Sequence, residues 1–187
     1  MMLHVNIPST VWAALAITAT IACSEGTPTD PAEPTSNPVA DPNPAAIHGT
    51  GFSAVDVPVG FVDPGEARFA DGKIVIRGLA VLASVDATDP RFTGTGVVTA
   101  NGVLDAADGS GTVWGSMEIE SQLGGTWIGT WRGHREPSGA VWVAELTWQA
   151  HGGGGAIDGL HAAGTEIITS VGLVPSGYVG AMQGLIW

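Results

Sequence analysis

Four glutamates on strand-like segments are the residues of this chain that could carry proton-transfer chemistry: Glu118, Glu120, Glu145 and Glu166. Glu118 and Glu120 are two positions apart, so they share one face of a strand. If such carboxyl groups were enclosed by the fold, burial could raise the pKa of one of them and make it a general acid or base. The alternative is an outward, solvated face in an acidic protein.

Arg132 is the cation whose position suggests a role, because it lies in the middle of a predicted strand and the chain has only six Lys and Arg in all. If it points inward, it could pair with Glu118, Glu120 or Glu145, or it could orient an anionic ligand. A structural salt bridge or an exposed position is the alternative.

The histidines that follow the N-terminal segment show no spacing typical of a metal site. They are His48, His134, His151 and His161, and the only cysteine of the chain, Cys23, lies far from all of them. A zinc site needs about three or four converging ligands. We therefore predict turn histidines in solvent, and no metal.

Other chemical motifs are lacking. No serine lies in a G-x-S-x-G elbow. The stretch HGGGGAIDG at 151–159 precedes neither a Gly-Lys-Ser/Thr sequence nor a G-x-G-x-x-G turn, so it is not a phosphate loop. We predict no cofactor.

The elements that must position these residues are strands. Short runs rich in Val, Ile, Thr and Trp alternate with turn sequences such as DPGE at 63–66 and REPSG at 135–139. Short connections imply antiparallel neighbours, and eight such strands predict an all-β, eight-stranded antiparallel up-and-down β-barrel, with a β-sandwich as the alternative. The predicted strands are 48–57, 73–86, 92–104, 112–121, 125–134, 140–150, 161–171 and 178–187.

Tryptophan and glycine alternate in GGTWIGTWRG, residues 124–133. Trp127 and Trp131 share one face of the strand and Arg132 lies on the other, so the rings and the cation cannot both point inward. The glycines at 125, 129 and 133 could make room for these rings or for facing side chains. We predict a ligand-binding set on these strands: Glu118, Trp127, Trp131, Arg132, Trp142, Glu145 and Trp148.

The charge balance excludes one class of partner. The formal net charge is -12 at pH 7. Nucleic-acid binding needs a basic surface that neutralises phosphates. We therefore predict no nucleic-acid partner.

The N-terminal residues are typical of a targeting segment. Residues 11–22 are apolar or small, too short to span a bilayer but suited to a signal peptide, and TIACS at 20–24 resembles a bacterial lipobox. We predict a lipoprotein signal peptide at 1–22, lipidation of Cys23, a Pro-rich disordered tether at 23–46 and the barrel domain at 47–187. The expected location is the bacterial cell envelope, at the outer membrane, with a secreted or periplasmic protein as the alternative.

The second half of the chain resembles a known family. The segments GGTWIG at 124–129, then strand 140–150, then the Gly-rich turn from 152 to 164 are similar to those of allene oxide cyclase-like barrels, in their uncharacterised bacterial branch. The resemblance covers roughly 107–187 and implies an eight-stranded barrel that can hold an apolar small molecule. No catalytic residue carries over from it.

These observations favour a lipid-anchored cell-envelope barrel that binds a small apolar or amphipathic ligand, with the membrane as a partner through the anchor. The first alternative is an enzyme, a barrel cyclase or isomerase that uses Arg132 and a buried glutamate. The second is a structural or interaction module with a filled barrel. A cavity of a few hundred Å³ with a converging charge would favour ligand binding or catalysis.

Overall fold

The computed structural model describes residues 48–172 and 177–187 as a sheet of nine strands, with one 3-10 turn at Gly155–Ile157. No helix within these residues is long and apolar enough to cross a membrane. The predicted signal peptide, Cys23 and the Pro-rich tether lie outside the described residues. The strands are Thr50–Asp63 (β1), Glu66–Ala70 (β2), Lys73–Ala87 (β3), Gly94–Asp105 (β4), Gly111–Ser121 (β5), Thr126–Ser138 (β6), Val141–Gly153 (β7), His161–Ser170 (β8) and Tyr178–Ile186 (β9).

The sheet closes on itself, which confirms the predicted barrel. The strand order is β1-β9-β8-β7-β6-β5-β4-β3-β2, and β1 also pairs with β3. Every pairing is antiparallel, and eight strands form an up-and-down barrel, with β2 as one extra strand beside β3. Closure leaves the eight barrel strands without a free edge.

All eight predicted strands are present, and β2 is the element that the sequence did not predict. β1 also runs on to Asp63, beyond the predicted end at residue 57. β2 is only five residues long and every one of them is exposed, so its alternation of Glu66 and Arg68 with Ala67 and Phe69 does not mark a buried face. The predicted turn at 63–66 separates β1 from β2.

An aromatic cluster fills one end of the barrel. Phe92, in the loop between β3 and β4, is fully buried at its centre. Its ring centroid lies 4.7 Å from that of Phe52, 5.2 Å from Trp148 and 5.4 Å from Trp127. The Trp127 indole also donates a 2.7 Å hydrogen bond from Nε1 to the carbonyl of Arg91, so the loop is tied to β6. In an up-and-down barrel the β3–β4 and β7–β8 connections lie at the same end. Ile157, in the β7–β8 connection, therefore packs into the same cluster.

The room for the tryptophan rings comes from glycines on neighbouring strands. A Cβ on Gly115 of β5 would lie 2.7 Å from the Trp131 ring, and one on Gly164 of β8 would lie 2.7 Å from the Trp148 ring. Gly129 and Gly133, beside the tryptophans in the sequence, instead face side chains of β7. Alternation along one strand therefore reflects packing against the two adjacent strands.

Candidate functional site

A cavity of about 130 Å³ lies inside the barrel, next to the aromatic cluster. Apolar side chains from several strands form most of its wall, among them Leu79, Val98, Met117 and Leu146. Polar side chains also reach it, and most of them lie toward the end of the barrel that holds the β6–β7 and β8–β9 connections. They are Asp56, Asn101, Trp131, Arg135, Glu166, Ser170 and Tyr178.

Asp56 is a buried carboxylate on an otherwise apolar face of β1. Phe52, Ala54 and Asp56 alternate along that face, and all three are buried. The Tyr178 hydroxyl, from β9, donates a 2.9 Å hydrogen bond to Asp56 Oδ2. This tyrosine is itself only 5% exposed. Tyr178 therefore holds one oxygen of Asp56 in place inside the barrel.

The carboxyl group of Glu166, on β8, meets that of Asp56. Gly180 pairs with Asp56 across β9 and β1, and a Cβ at position 180 would overlap both Asp56 Oδ1 and Glu166 Oε1. Neither of these two oxygens has a hydrogen-bond partner elsewhere among the described residues. Since two carboxylates at this separation would repel each other, a shared proton joins them.

Burial inside the barrel shifts the pKa values of both carboxyl groups in the pair. Burial, and next the charge of Asp56, raise the pKa of Glu166 from 4.5 to about 9. Burial also raises the pKa of Asp56, although its contacts with Glu166 and Tyr178 act in the opposite direction. Burial likewise raises the pKa of the Tyr178 hydroxyl. At neutral pH Glu166 therefore keeps its proton, so the pair holds at least one proton.

Arg135 is the cation that lines the cavity. It lies on the inward face of β6, it is 7% exposed, and burial lowers the pKa of its guanidinium. Its Nη2 donates a 2.6 Å hydrogen bond to the carbonyl of Gly172, and the guanidinium lies 5.0 Å from the ring centroid of Trp142. Arg135 thus ties β6 to the segment after β8 at this end of the barrel.

Of the four tryptophans predicted as ligand-binding residues, three lie in the aromatic cluster or at the cavity, and Trp142 lies in neither. Trp127 and Trp148 are buried in the aromatic cluster. Trp131 lines the cavity, and its buried Nε1 has no hydrogen-bond partner among the described residues. Trp142 is half-buried beneath Arg135, and its Nε1 donates to the carbonyl of Asp108.

The three charged residues of the predicted site do not reach the cavity. Arg132, Glu118 and Glu145 are exposed on the outer face of β6, β5 and β7. The reason is strand alternation, because their neighbours Trp131, Met117 and Leu146 are the side chains that point inward. The expectation of an inward Arg132 paired with these glutamates is therefore corrected.

Five of the polar residues that line the cavity were missed by the sequence analysis, namely Asp56, Asn101, Arg135, Ser170 and Tyr178, whereas Glu166 and Trp131 were among its candidates. A signal was available for Asp56 and Arg135. Asp56 continues the apolar alternation of Phe52 and Ala54, and Arg135 continues the inward series of Trp127 and Trp131. The sequence REPSG at 135–139 predicts a turn, but β6 continues through it to Ser138.

The histidines lie on the outside of the barrel. His151 and His161 are exposed and pair across β7 and β8, and the His161 ring stacks on Trp187 at 6.0 Å. His134 lies 3.5 Å from Glu136 in an exposed pair. Within residues 48–172 and 177–187, no three His, Cys, Asp or Glu side chains are grouped where they could hold a metal ion.

Comparisons with known proteins give no match: no family model, no curated protein and no solved structure is significantly similar to this chain.

Proposed function

We propose that the barrel binds a small amphipathic molecule in its cavity, with the apolar body of the ligand against the aliphatic wall and its polar group at Asp56 and Glu166. The observation that carries this proposal is the cavity itself, an apolar space with one small cluster of buried polar groups. Binding sites for small molecules commonly combine these two features.

The size of the cavity sets the size of the ligand. Its volume of about 130 Å³ is smaller than the few hundred Å³ named in the sequence analysis, but it is close to the ~150 Å³ of an apolar protein cavity that accepts benzene. A single ring or a short branched chain is the body that fits. The wall of Leu79, Val98, Met117 and Leu146 would remove that body from water, which contributes about 25 cal/mol for each Å² buried.

A cavity-filling substitution tests the proposal. Ala144 is buried on the inward face of β7 and lines the cavity, while Ala181 is exposed on the outer face of β9. With benzyl alcohol as the probe, we expect NMR titration to show binding to the wild type and to Ala181→Leu, and at least 10-fold weaker binding to Ala144→Leu. Equal binding by all three proteins, or no binding by the wild type, would overturn the proposal. The second result would favour a structural module.

The carboxyl pair also supports a second candidate function, proton-transfer catalysis of the cyclase or isomerase type. Glu166, whose pKa is raised to about 9, holds a proton at neutral pH and would serve as the general acid, while the carboxyl of Asp56 beside it would serve as the general base. Asp56 would take a proton from a carbon next to a carbonyl group, and Glu166 would give its proton to the carbonyl oxygen.

Hydrogen exchange measures such catalysis without knowledge of the natural substrate. Cyclopentanone fits the cavity, and in D₂O its α-hydrogens would exchange faster in the presence of the protein, as followed by ¹H NMR. Glu166→Gln would abolish the acceleration and Glu145→Gln, on the outer face of β7, would keep it. A bound ketone that exchanges no faster than free ketone would exclude this function and leave the binding proposal intact.

We further propose that Cys23 anchors the protein in the bacterial cell envelope, at the outer membrane. The support comes from the sequence, in which the single cysteine follows directly on an apolar segment. Mass spectrometry of the mature protein would then show an acylated Cys23 as the first residue, and Cys23→Ser would release the protein from the membrane fraction. An unmodified cysteine in the mature chain would exclude the anchor.

A further inference from the structure

Two carboxyl oxygens that line the cavity face each other beside Gly180. Asp56 Oδ1 and Glu166 Oε1 meet over the Cα of Gly180, and both lack a hydrogen-bond partner elsewhere among the described residues. The other oxygen of Asp56 is satisfied by Tyr178. A buried acceptor without a donor costs free energy, so a group that donates to both oxygens at once would be strongly stabilised between them.

The charges around the pair favour a cation in that position. The pair is acidic, and the formal net charge of the chain is -12, which attracts small cations and repels anions. The cation that lines the cavity, Arg135, donates to Gly172 and stacks on Trp142 at the end of the barrel.

We propose that the ligand is a small primary amine in its ammonium form, whose N–H groups donate to Asp56 Oδ1 and Glu166 Oε1 while its apolar body occupies the cavity. This inference rests on the proposed binding function and names the chemical class of its ligand. An ammonium carries three N–H donors, so it can bridge both oxygens and still donate a third hydrogen bond.

Binding of the ammonium displaces the proton that the two carboxyls share. Before binding, Glu166 holds its proton; after binding, Glu166 is ionised and the ammonium lies between it and Asp56. One proton leaves Glu166 for solvent and one positive charge enters, so the net charge of the site does not change. The pKa of Glu166, raised to about 9, agrees with one bound proton at neutral pH.

Few other charged groups can affect this exchange. The titratable or charged groups that share the cavity with Glu166 are Asp56 on β1, Tyr178 on β9 and Arg135 on β6. On β7, the residue paired with Glu166 is Leu146, which is apolar. Tyr178 keeps its proton at ordinary pH, because its pKa is raised, and Arg135 stays charged.

Three probes of one shape test the inference: benzylamine, benzyl alcohol and benzoate, measured by calorimetric titration between pH 6 and pH 8. We expect benzylamine to bind at least 10-fold more tightly than benzyl alcohol at pH 8, and benzoate not to bind. Because one proton is released, the affinity for benzylamine should rise about 10-fold for each pH unit, and the heat should vary with the ionisation enthalpy of the buffer. The affinity for benzyl alcohol should not depend on pH.

A matched pair of variants locates the effect. Glu166→Gln keeps the shape but cannot release a proton, so its affinity for benzylamine should fall at least 10-fold at pH 8 and lose its pH dependence, while benzyl alcohol still binds. Glu145→Gln, exposed on β7, should behave like the wild type.

The outcomes separate the two proposals. Equal affinity for benzylamine and benzyl alcohol, or preference for benzoate, would overturn the ammonium ligand and leave a binding cavity. Benzylamine binding without proton release would also overturn the exchange. Failure of all three probes to bind would overturn the proposed function itself.

Discussion

Asp56 and Glu166 place two carboxyl groups in contact inside the barrel, at the one point of β9 where Gly180 leaves room for both. The contact depends on the pairing of three strands, because β1 and β8 each bring one acid to the two sides of β9. A neutral residue at either position would fill the barrel without the cost of burying a charge. The pair is therefore a costly arrangement that the fold tolerates, and its effects on stability can be measured.

The stability of the protein should fall as the pH rises from about 5 to 9. The pKa of Glu166 is raised from 4.5 to about 9 in the folded protein, so the folded state binds more protons than the unfolded state in this window. The raised pKa of Asp56 acts in the same direction. The stabilisation that this bound proton provides is fully present below the pKa of the unfolded state, and it is lost as the pH rises to the pKa of the folded state. It amounts to about 1.4 kcal/mol for each unit by which the two pKa values differ. Thermal unfolding in buffers across this range measures the slope.

Glu166→Gln should flatten this pH profile, since glutamine resembles the protonated acid at every pH. Glu145→Gln removes an exposed carboxylate from the outer face of β7, so it should leave the slope unchanged. A wild-type stability that rises between pH 5 and pH 9 would contradict a shared proton.

Gly180→Ala should destabilise the barrel and separate the two acids. The added Cβ would overlap Asp56 Oδ1 and Glu166 Oε1, and overpacking of this kind costs about 1–3 kcal/mol. The same change at Gly51 meets only Leu185 Cδ2 at 3.8 Å, which is an ordinary contact. Gly51→Ala should therefore be neutral or stabilising by up to about 1 kcal/mol, because alanine restricts the unfolded chain. Urea denaturation compares the two, and a Gly180→Ala variant as stable as Gly51→Ala would contradict the close contact.

Trp127 and Trp131 lie on the same face of β6, but replacing each of them with alanine should lower the stability of the protein by different amounts. Trp127 is fully buried and hydrogen-bonded to the carbonyl of Arg91, so Trp127→Ala should cost about 3–5 kcal/mol in the free energy of unfolding. Trp131 is half-buried and lines the cavity, so Trp131→Ala should cost about 1–3 kcal/mol.

Ligand size separates these two tryptophans further. Trp131→Ala enlarges the cavity, and it should accept probes larger than benzyl alcohol, such as 2-naphthalenemethanol, at least 10-fold more tightly than the wild type does. If Trp127→Ala and Trp131→Ala lose equal stability and show the same ligand range, the division between cluster and cavity is wrong.

The barrel could be predicted from the sequence because its strands alternate and its turns are short. The residues of β7 alternate in this way, with Leu146 and Trp148 on the inner face, so the strand can be predicted without knowledge of the tertiary structure. β2 could not be found, since a fully exposed strand has no buried face to show. Its pairing with β3 is visible only in the folded sheet.

The candidate site was harder to predict, because its acids come from strands that are far apart in the sequence. The sequence analysis names Glu166 as a candidate, but its partner Asp56 lies on β1. The local sequence does not indicate that β1 and β8 pair with the two sides of β9. Arg132 attracted interest as a cation in mid-strand, yet the inward cation is Arg135, three positions on, because an odd step along a strand reverses the face. Charged residues on the apolar face of an alternating strand are the signal that would have found Asp56 and Arg135.

Arg135 and Arg132 form the last comparison, a buried and an exposed arginine on one strand. Arg135→Met keeps most of the stem but loses the hydrogen bond to Gly172 and the stacking on Trp142, so it should cost about 1.5–3 kcal/mol in the free energy of unfolding. Arg132→Met, on the outer face, should change it by no more than about 0.5 kcal/mol. Because Arg135 donates to Gly172 and stacks on Trp142, Arg135→Met should leave the affinity for benzylamine within about 3-fold, or ~0.7 kcal/mol, of the wild type. Loss of benzylamine binding in this variant would mean that Arg135, too, holds the ligand, and equal stability of the two arginine variants would contradict the inward position of Arg135.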